Sequence, residues 1–145
     1  MNTPEGRTLE VSSGAIQSNA RSLAKLGALL SNGGEVGGVR LLSEQTVRLA
    51  TSSPKVQRDD VWRMTYANTL GGFADFGTFV ELMGMKNEAA AAAQKGFIGW
   101  AGKGGSLFLF DPERKLGLAY TMTGMMNGGA GGPRTARIFE VLRHK

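Results

Sequence analysis

The sequence predicts an α+β fold in which helices flank an antiparallel sheet. Two amphipathic helical patterns come early, two apolar segments joined by a short polar turn follow, and a third amphipathic segment ends the chain. At 145 residues, 41% of them hydrophobic, the chain is long enough for one domain with a core and too short to expect two. Residues 1–145 are therefore expected to form a single domain.

The first third of the chain carries two helical patterns. One has small and apolar residues at helical spacing, with Ser18 or Asn19 as the N-cap and Asn32-Gly33-Gly34 as the stop signal: Ala20, Leu23, Ala24, Gly27 and Leu30. The other has Ser43 as its N-cap and a short buried stripe: Leu42, Val47 and Ala50. Both patterns predict helices with one apolar face.

The middle of the chain is less regular. Pro54 and the polar residues 55–60 are expected to interrupt regular structure. The glycine-punctuated region from Trp62 to Met85 is strand-like, with Thr78, Val80 and Leu82 on one face. Residues 87–96, "NEAAAAAQKG", predict a short alanine-rich helix that Gly96 ends.

A hairpin and a final helix complete the pattern. The run "GSLFLF" (105–110) suits a strand buried on both faces, "LGLAYTMT" (116–123) alternates, and "DPERK" between them supplies a reverse turn. After the glycine loop 127–132, Pro133 begins a helix with an apolar face of Ile138, Val141 and Leu142. Helices and antiparallel strands are thus segregated along the chain, as α+β folds require.

Composition excludes several classes of function. The net charge is +5, but the seventeen Lys and Arg residues are scattered, which does not favour a nucleic-acid partner. The chain has no cysteine, and its one histidine, His144, lies beside the C-terminus. A zinc site is therefore not expected, nor is any other metal or cofactor site, and a Ser-His-Asp triad is not expected either. No apolar run reaches the roughly 18 residues of a membrane span, and no signal peptide is evident, so the chain as written is expected to be soluble and cytoplasmic.

Residues 97–106, "FIGWAGKGGS", hold four glycines and invite a phosphate-loop interpretation. That motif fails, because Phe97 stands where its first glycine belongs and Gly104 where its hydroxyl residue belongs. A dinucleotide fingerprint fails as well, since it would need glycine at Leu107. Nucleotide binding is therefore not expected.

Three short motifs are weak candidates for nucleophilic catalysis. Ser22-x-x-Lys25 and Ser52-x-x-Lys55 have the spacing by which a lysine one helical turn on can activate a serine. Tyr66-x-Asn68 has the spacing of a proton-shuttling pair. Each has a plainer explanation, since four-residue patterns arise easily by chance, Pro54 disfavours helical geometry in the second, and strand tyrosines usually pack.

Taken together, the segments resemble the C-terminal part of the serine β-lactamase-related family, which includes class C β-lactamases, penicillin-binding carboxypeptidases and β-lactamase-like esterases. The resemblance is carried by "NGG" and "LLS" around the first two helices, by "FIGWAGKGGSLFLFDPERKLGLAYTMTGM", and by "GGPRTARIFEVL" at the last helix. It implies a β-lactamase/transpeptidase-like fold and, for the intact family domain, hydrolysis of a small acyl ester through a serine acyl-enzyme.

The resemblance also implies site residues. Trp100-Ala101-Gly102 occupy the family's third motif, beside the substrate cleft, and the backbone N–H of Lys103 would be an oxyanion-hole donor that the glycines leave uncrowded. Trp100 replaces the usual lysine or histidine, which implies neutral esters as substrates because indole carries no positive charge.

The same resemblance implies that this domain is partial. In the family, Ser-x-x-Lys and Tyr-x-Asn precede the segment that Ser12 and Ser13 begin, whereas here only eleven residues precede it. The chain alone is therefore expected to be inactive and, because a half-domain exposes apolar faces, to self-associate. The alternative is a non-catalytic binding or interaction module derived from the same fold.

Overall fold

The computed structural model describes residues 3–11, 14, 16–61, 63–78, 94–126 and 133–142. These residues form four helices, a small two-stranded hairpin and a larger sheet. The helices are α1 (Pro4–Arg7), α2 (Ala20–Ser31), α3 (Glu44–Thr51) and α4 (Pro133–Leu142). The strands are β1 (Glu35–Val36), β2 (Val39–Arg40), β3 (Lys55–Asp59), β4 (Met64–Asn68), β5 (Ala74–Asp75), β6 (Ile98–Ala101), β7 (Leu107–Asp111) and β8 (Leu116–Tyr120).

The two N-terminal helices begin where the capping residues predict. The Asn19 side chain accepts a hydrogen bond from Ser22 N–H at 3.0 Å, and the Ser43 hydroxyl accepts one from Thr46 N–H at 3.0 Å. Each bond satisfies a donor that the first helical turn leaves unpaired. Helix α2 ends at Ser31 with Asn32 as its C-cap, and Gly33 follows with a φ of +67°, which glycine adopts without steric cost.

Strands β3 to β8 pair in chain order to make one antiparallel sheet. The predicted hairpin is its last pair, with Leu109 opposite Leu118. Between these two strands, the buried Asp111 carboxylate accepts the N–H groups of Glu113 and Arg114 at 2.9 and 3.0 Å and so fixes the turn.

Helices cover both faces of this sheet. On one face, Leu30 of α2 and Val47 of α3 pack with Ile98 and Phe110. On the other, Phe139 of α4 packs in a second cluster whose buried members include Phe97, Leu107 and Leu109. The α+β class with an antiparallel sheet and flanking helices is thereby confirmed.

Three predictions about elements were wrong. Residues 55–59 form strand β3, because the adjacent β4 supplies hydrogen-bond partners for polar residues that have no apolar pattern of their own. Thr78 belongs to a helical turn whose start Asp75 caps, since the Asp75 carboxylate accepts Thr78 N–H at 2.8 Å. The buried anchor of α4 is Phe139 rather than Val141, which is 66% exposed.

The predictions for Val80, Leu82, most of the alanine-rich helix 87–96 and the glycine loop 127–132 lie outside the described residues. In the part of the chain that the structure describes, no helix is both long enough and apolar enough to cross a membrane.

Candidate functional site

The tryptophan motif lies at the C-terminal end of the interior strand β6. Trp100 lies opposite Phe108 of β7, on the sheet face that α2 and α3 cover, and Ala101 lies opposite Leu107. Ile98, two residues before Trp100 on the same face, is buried, whereas Trp100 is 44% exposed. Trp100 is therefore a half-exposed aromatic side chain on this face of the sheet.

The strand leads into a tight turn that presents a backbone donor. Gly102 N–H donates to Ser106 carbonyl oxygen at 2.8 Å, and Gly105 N–H donates to Gly102 carbonyl oxygen at 3.1 Å. Lys103 and Gly104 are thus the two central residues of a β-turn, and Gly104 has the positive φ, +88°, that type II turns require at this position. The N–H of the first central residue takes no part in such a turn, and Lys103 N–H has no acceptor among the described residues.

Glycine is required at two positions of this segment, for a different structural reason at each. A Cβ on Gly99 would collide with the carbonyl oxygen of Phe108, so Gly99 allows the backbones of β6 and β7 to approach closely. Gly104 is needed for the positive φ of the turn. The structure therefore adds strand packing and turn geometry to the predicted role of clearance around a donor.

The candidate nucleophile Ser22 and the candidate base Tyr66 lie on different elements. Ser22 and Lys25 are both exposed on α2, which packs over β7 and β8. Tyr66 lies on β4, four strands from β8 in the sheet order, or roughly 19 Å at about 4.8 Å per strand. The structure does not bring this serine, lysine and tyrosine into one site.

The second Ser-x-x-Lys is not helical. The Ser52 hydroxyl donates to Leu49 carbonyl oxygen at 2.8 Å and caps the end of α3. Ser53 has a φ of +51°, and Lys55 already belongs to β3. As Pro54 predicts, this serine and lysine do not lie one helical turn apart.

Tyr66 has a perturbed environment. Its hydroxyl donates to the Met64 thioether sulfur at 3.7 Å. Burial raises the pKa of Tyr66, and the negative charge of Asp59 on the neighbouring strand raises it further. A raised pKa keeps this phenol protonated, which is the opposite of what a tyrosine general base needs at neutral pH.

Among the described residues, no group of three or more histidine, cysteine or carboxylate residues could hold a metal ion. His144 lies outside them. The structure does add residues that sequence patterns could not single out: Ser106, whose carbonyl oxygen closes the turn, and Met126, whose N–H donates to Gly104 carbonyl oxygen at 3.1 Å. Met126 lies 22 residues from Gly104, and no local pattern connects the two.

A model of the Beta-lactamase family matches residues 2–143 of the chain. The chain is similar to the crystal structure of a family VIII carboxylesterase, with a TM-score of 0.70 and 28% identity, covering 88% of this chain and 31% of that one. It is also similar to a penicillin-binding protein homologue from Caulobacter crescentus, with a TM-score of 0.65 and 27% identity, covering 84% of this chain and 30% of that one. Among curated proteins, none matches.

The fold and its relatives define the class as β-lactamase/transpeptidase-like. The chain belongs to the serine β-lactamase-related family of hydrolases, as its sequence motifs predict. It spans less than a third of the length of the two solved relatives.

Proposed function

We propose that this chain supplies the oxyanion side of a serine hydrolase that acts on carboxylic esters. The observation that carries the proposal is the Gly102–Gly105 turn, which leaves Lys103 N–H without an acceptor among the described residues at the end of β6. The similarity to a carboxylesterase supports the ester as substrate class.

The chemistry proposed for this donor is the stabilisation of a transient negative charge. A general base takes the proton of a serine hydroxyl as the serine oxygen adds to the ester carbonyl, and later passes it to the leaving alcohol. The carbonyl oxygen becomes an oxyanion, and Lys103 N–H donates a hydrogen bond to it. Collapse of the tetrahedral intermediate releases the alcohol and leaves an acyl-enzyme, which water then hydrolyses. Loss of one such donor costs about 100-fold to 1,000-fold in kcat in serine hydrolases.

Trp100 supports an uncharged substrate. Its indole N–H can donate a hydrogen bond but carries no positive charge, so it offers no ion pair to a substrate carboxylate. Its half-exposed ring beside Phe108 offers apolar area instead. We therefore assign neutral esters, rather than anionic β-lactams, to this site.

We further propose that the nucleophile and its base come from a part of the domain other than residues 1–145. Ser22 and Lys25 are exposed on α2, which packs over β7 and β8. Tyr66 lies on β4, three strands from β7 and four from β8 in the sheet order. The chain from Met1 to Lys145 is then expected to hydrolyse neither nitrophenyl esters nor a chromogenic cephalosporin. Ester turnover that Ser22→Ala abolishes would overturn this part of the proposal.

The positive test uses a longer product of the same gene. The coding sequence upstream of Met1 is searched for Ser-x-x-Lys followed by Tyr-x-Asn, and the longer protein is assayed with nitrophenyl esters. Lys103→Pro removes the proposed donor together with the lysine side chain, and proline suits the first central position of a type II turn. We expect Lys103→Pro to lower kcat by about 100-fold or more, and the matched Lys103→Ala, which keeps the N–H, to leave kcat nearly unchanged. Equal kcat values for the two variants, or an upstream sequence without both motifs, would contradict the proposal.

A further inference from the structure

The turn at Gly102–Gly105 is held from outside by residues that follow β8. Met126 N–H donates to Gly104 carbonyl oxygen at 3.1 Å. The Met125 side chain covers Gly104, because a Cβ at position 104 would lie 2.7 to 3.0 Å from its Cε, Cβ and Cγ atoms. One backbone bond and one side-chain contact therefore hold the same glycine.

Met125 combines this contact with accessibility. It is 67% exposed, whereas Met122, Met126 and Met64 are half-buried. Its Cγ and Cε, the two atoms bonded to the thioether sulfur, are among those nearest to Gly104. A dissolved oxidant can thus reach a side chain that packs directly on the turn.

We propose that Met125 is an oxidation site for hydroperoxides, and that its oxidation loosens the Gly102–Gly105 turn. The sulfur attacks the terminal peroxide oxygen, a sulfur–oxygen bond forms as the oxygen–oxygen bond breaks, and the peroxide leaves as water or an alcohol. The thioether is oxidised by two electrons to a sulfoxide, and the peroxide is reduced by two. The product is polar and chiral at sulfur, and it no longer packs as the flexible apolar chain did.

The turn responds because the three atoms nearest to a Cβ built on the buried Gly104 all belong to Met125. A sulfoxide oxygen beside the Gly104 backbone displaces the Met125 side chain, and the adjacent Met126 N–H moves with it. Lys103 N–H, one residue before Gly104, is then less firmly placed. Only this last consequence, the effect on ester turnover, rests on the proposed function.

The test exposes the purified chain to a limiting amount of hydrogen peroxide and follows each methionine by peptide mass spectrometry. Met125 is expected to gain one oxygen atom several times faster than Met64, which serves as the internal control. Met126 N–H and Gly105 N–H donate to the carbonyl oxygens of Gly104 and Gly102, and amide hydrogen exchange at both is expected to be faster in the oxidised chain. Treatment with methionine sulfoxide reductase should return both exchange rates to their original values.

Two variants separate the contact from general oxidative damage. Met125→Leu keeps an apolar side chain over Gly104 and should leave exchange at Met126 and Gly105 unchanged by peroxide, whereas Met64→Leu should respond as the unmodified chain does. Oxidation of Met125 no faster than Met64, or unchanged exchange in a chain oxidised at Met125, would overturn the proposal. These readouts need no ester substrate, so their failure is distinguishable from a failure of the proposed hydrolase function.

Discussion

Lys103 shows how backbone geometry can define the role of a single residue. Its ammonium group makes no ion pair among the described residues, whereas its N–H occupies the unused position of a tight turn. The proposed chemistry therefore depends on Gly102 and Gly104, which shape the turn, rather than on the charge of the lysine. Both Lys103→Ala and Lys103→Pro remove the ammonium group, but only Lys103→Pro also removes the N–H.

The ionisation of Tyr66 predicts how the stability of the chain depends on pH. Burial first, and the charge of Asp59 second, raise the pKa of Tyr66 above its ordinary value of 10.0, so the folded chain holds this proton more tightly than the unfolded chain does. The stability that Tyr66 contributes is then fully present below pH 10 and is lost as the pH rises through its folded-state pKa.

Urea unfolding at a series of pH values on either side of 10 measures this effect. The free energy of unfolding should fall more steeply with pH in the unmodified chain than in Tyr66→Phe, which cannot ionise at this position. Identical slopes in the two proteins would show that the phenol has the same pKa when folded and unfolded.

Among the elements, helix α2 packs on strand β8 through a glycine of each, Gly27 and Gly117. A Cβ on Gly27 would lie 3.0 Å from Gly117 Cα and 3.1 Å from Leu109 carbonyl oxygen, and a Cβ on Gly117 would lie 2.6 Å from Ala24 carbonyl oxygen. Backbone therefore packs directly on backbone, and a side chain at either position would push the helix off the sheet.

Gly117→Ala is accordingly expected to destabilise the chain by about 1–3 kcal/mol or more, because the added methyl group meets backbone atoms that cannot turn aside. Gly124→Ala is the matched control, since a Cβ there has nothing within 4 Å and its φ is outside the positive region. Chemical denaturation measures the free energy of unfolding of the unmodified chain, Gly117→Ala and Gly124→Ala. A similar loss in both variants would mean that the crossing is not the cause.

The elements also show what a sequence can and cannot predict. Helix α2, helix α3 and the β7–β8 hairpin were predictable, because caps, periodicity and turn residues lie within each segment. Strand β3 was not, because it is held by pairing with β4 and leaves most of its own side chains exposed. In the candidate site, the family resemblance points to Lys103, whereas the contact from Met125 and Met126 depends on chain segments that meet only in the fold.

The two edge strands of the sheet, β3 and β8, differ in charge. Edge strand β3 carries Lys55, Arg58 and Asp59, and charged residues of this kind discourage pairing with another chain. Edge strand β8, Leu116–Tyr120, carries none. Within the described residues, no strand lies on its outer side. An uncharged open edge is a template for strand addition.

We therefore expect the chain on its own to self-associate through β8, assisted by exposed apolar residues such as Leu41, Leu49 and Leu70. Size-exclusion chromatography with light scattering over a concentration series should show a mass that rises above the monomer. Ala119→Lys puts a charge on the β8 edge and should return the chain toward the monomer, whereas Val56→Lys, on the already charged β3, should not. A compact monomer at every concentration would contradict this expectation and favour a self-contained binding module, because a module complete in itself would have no edge that requires a partner.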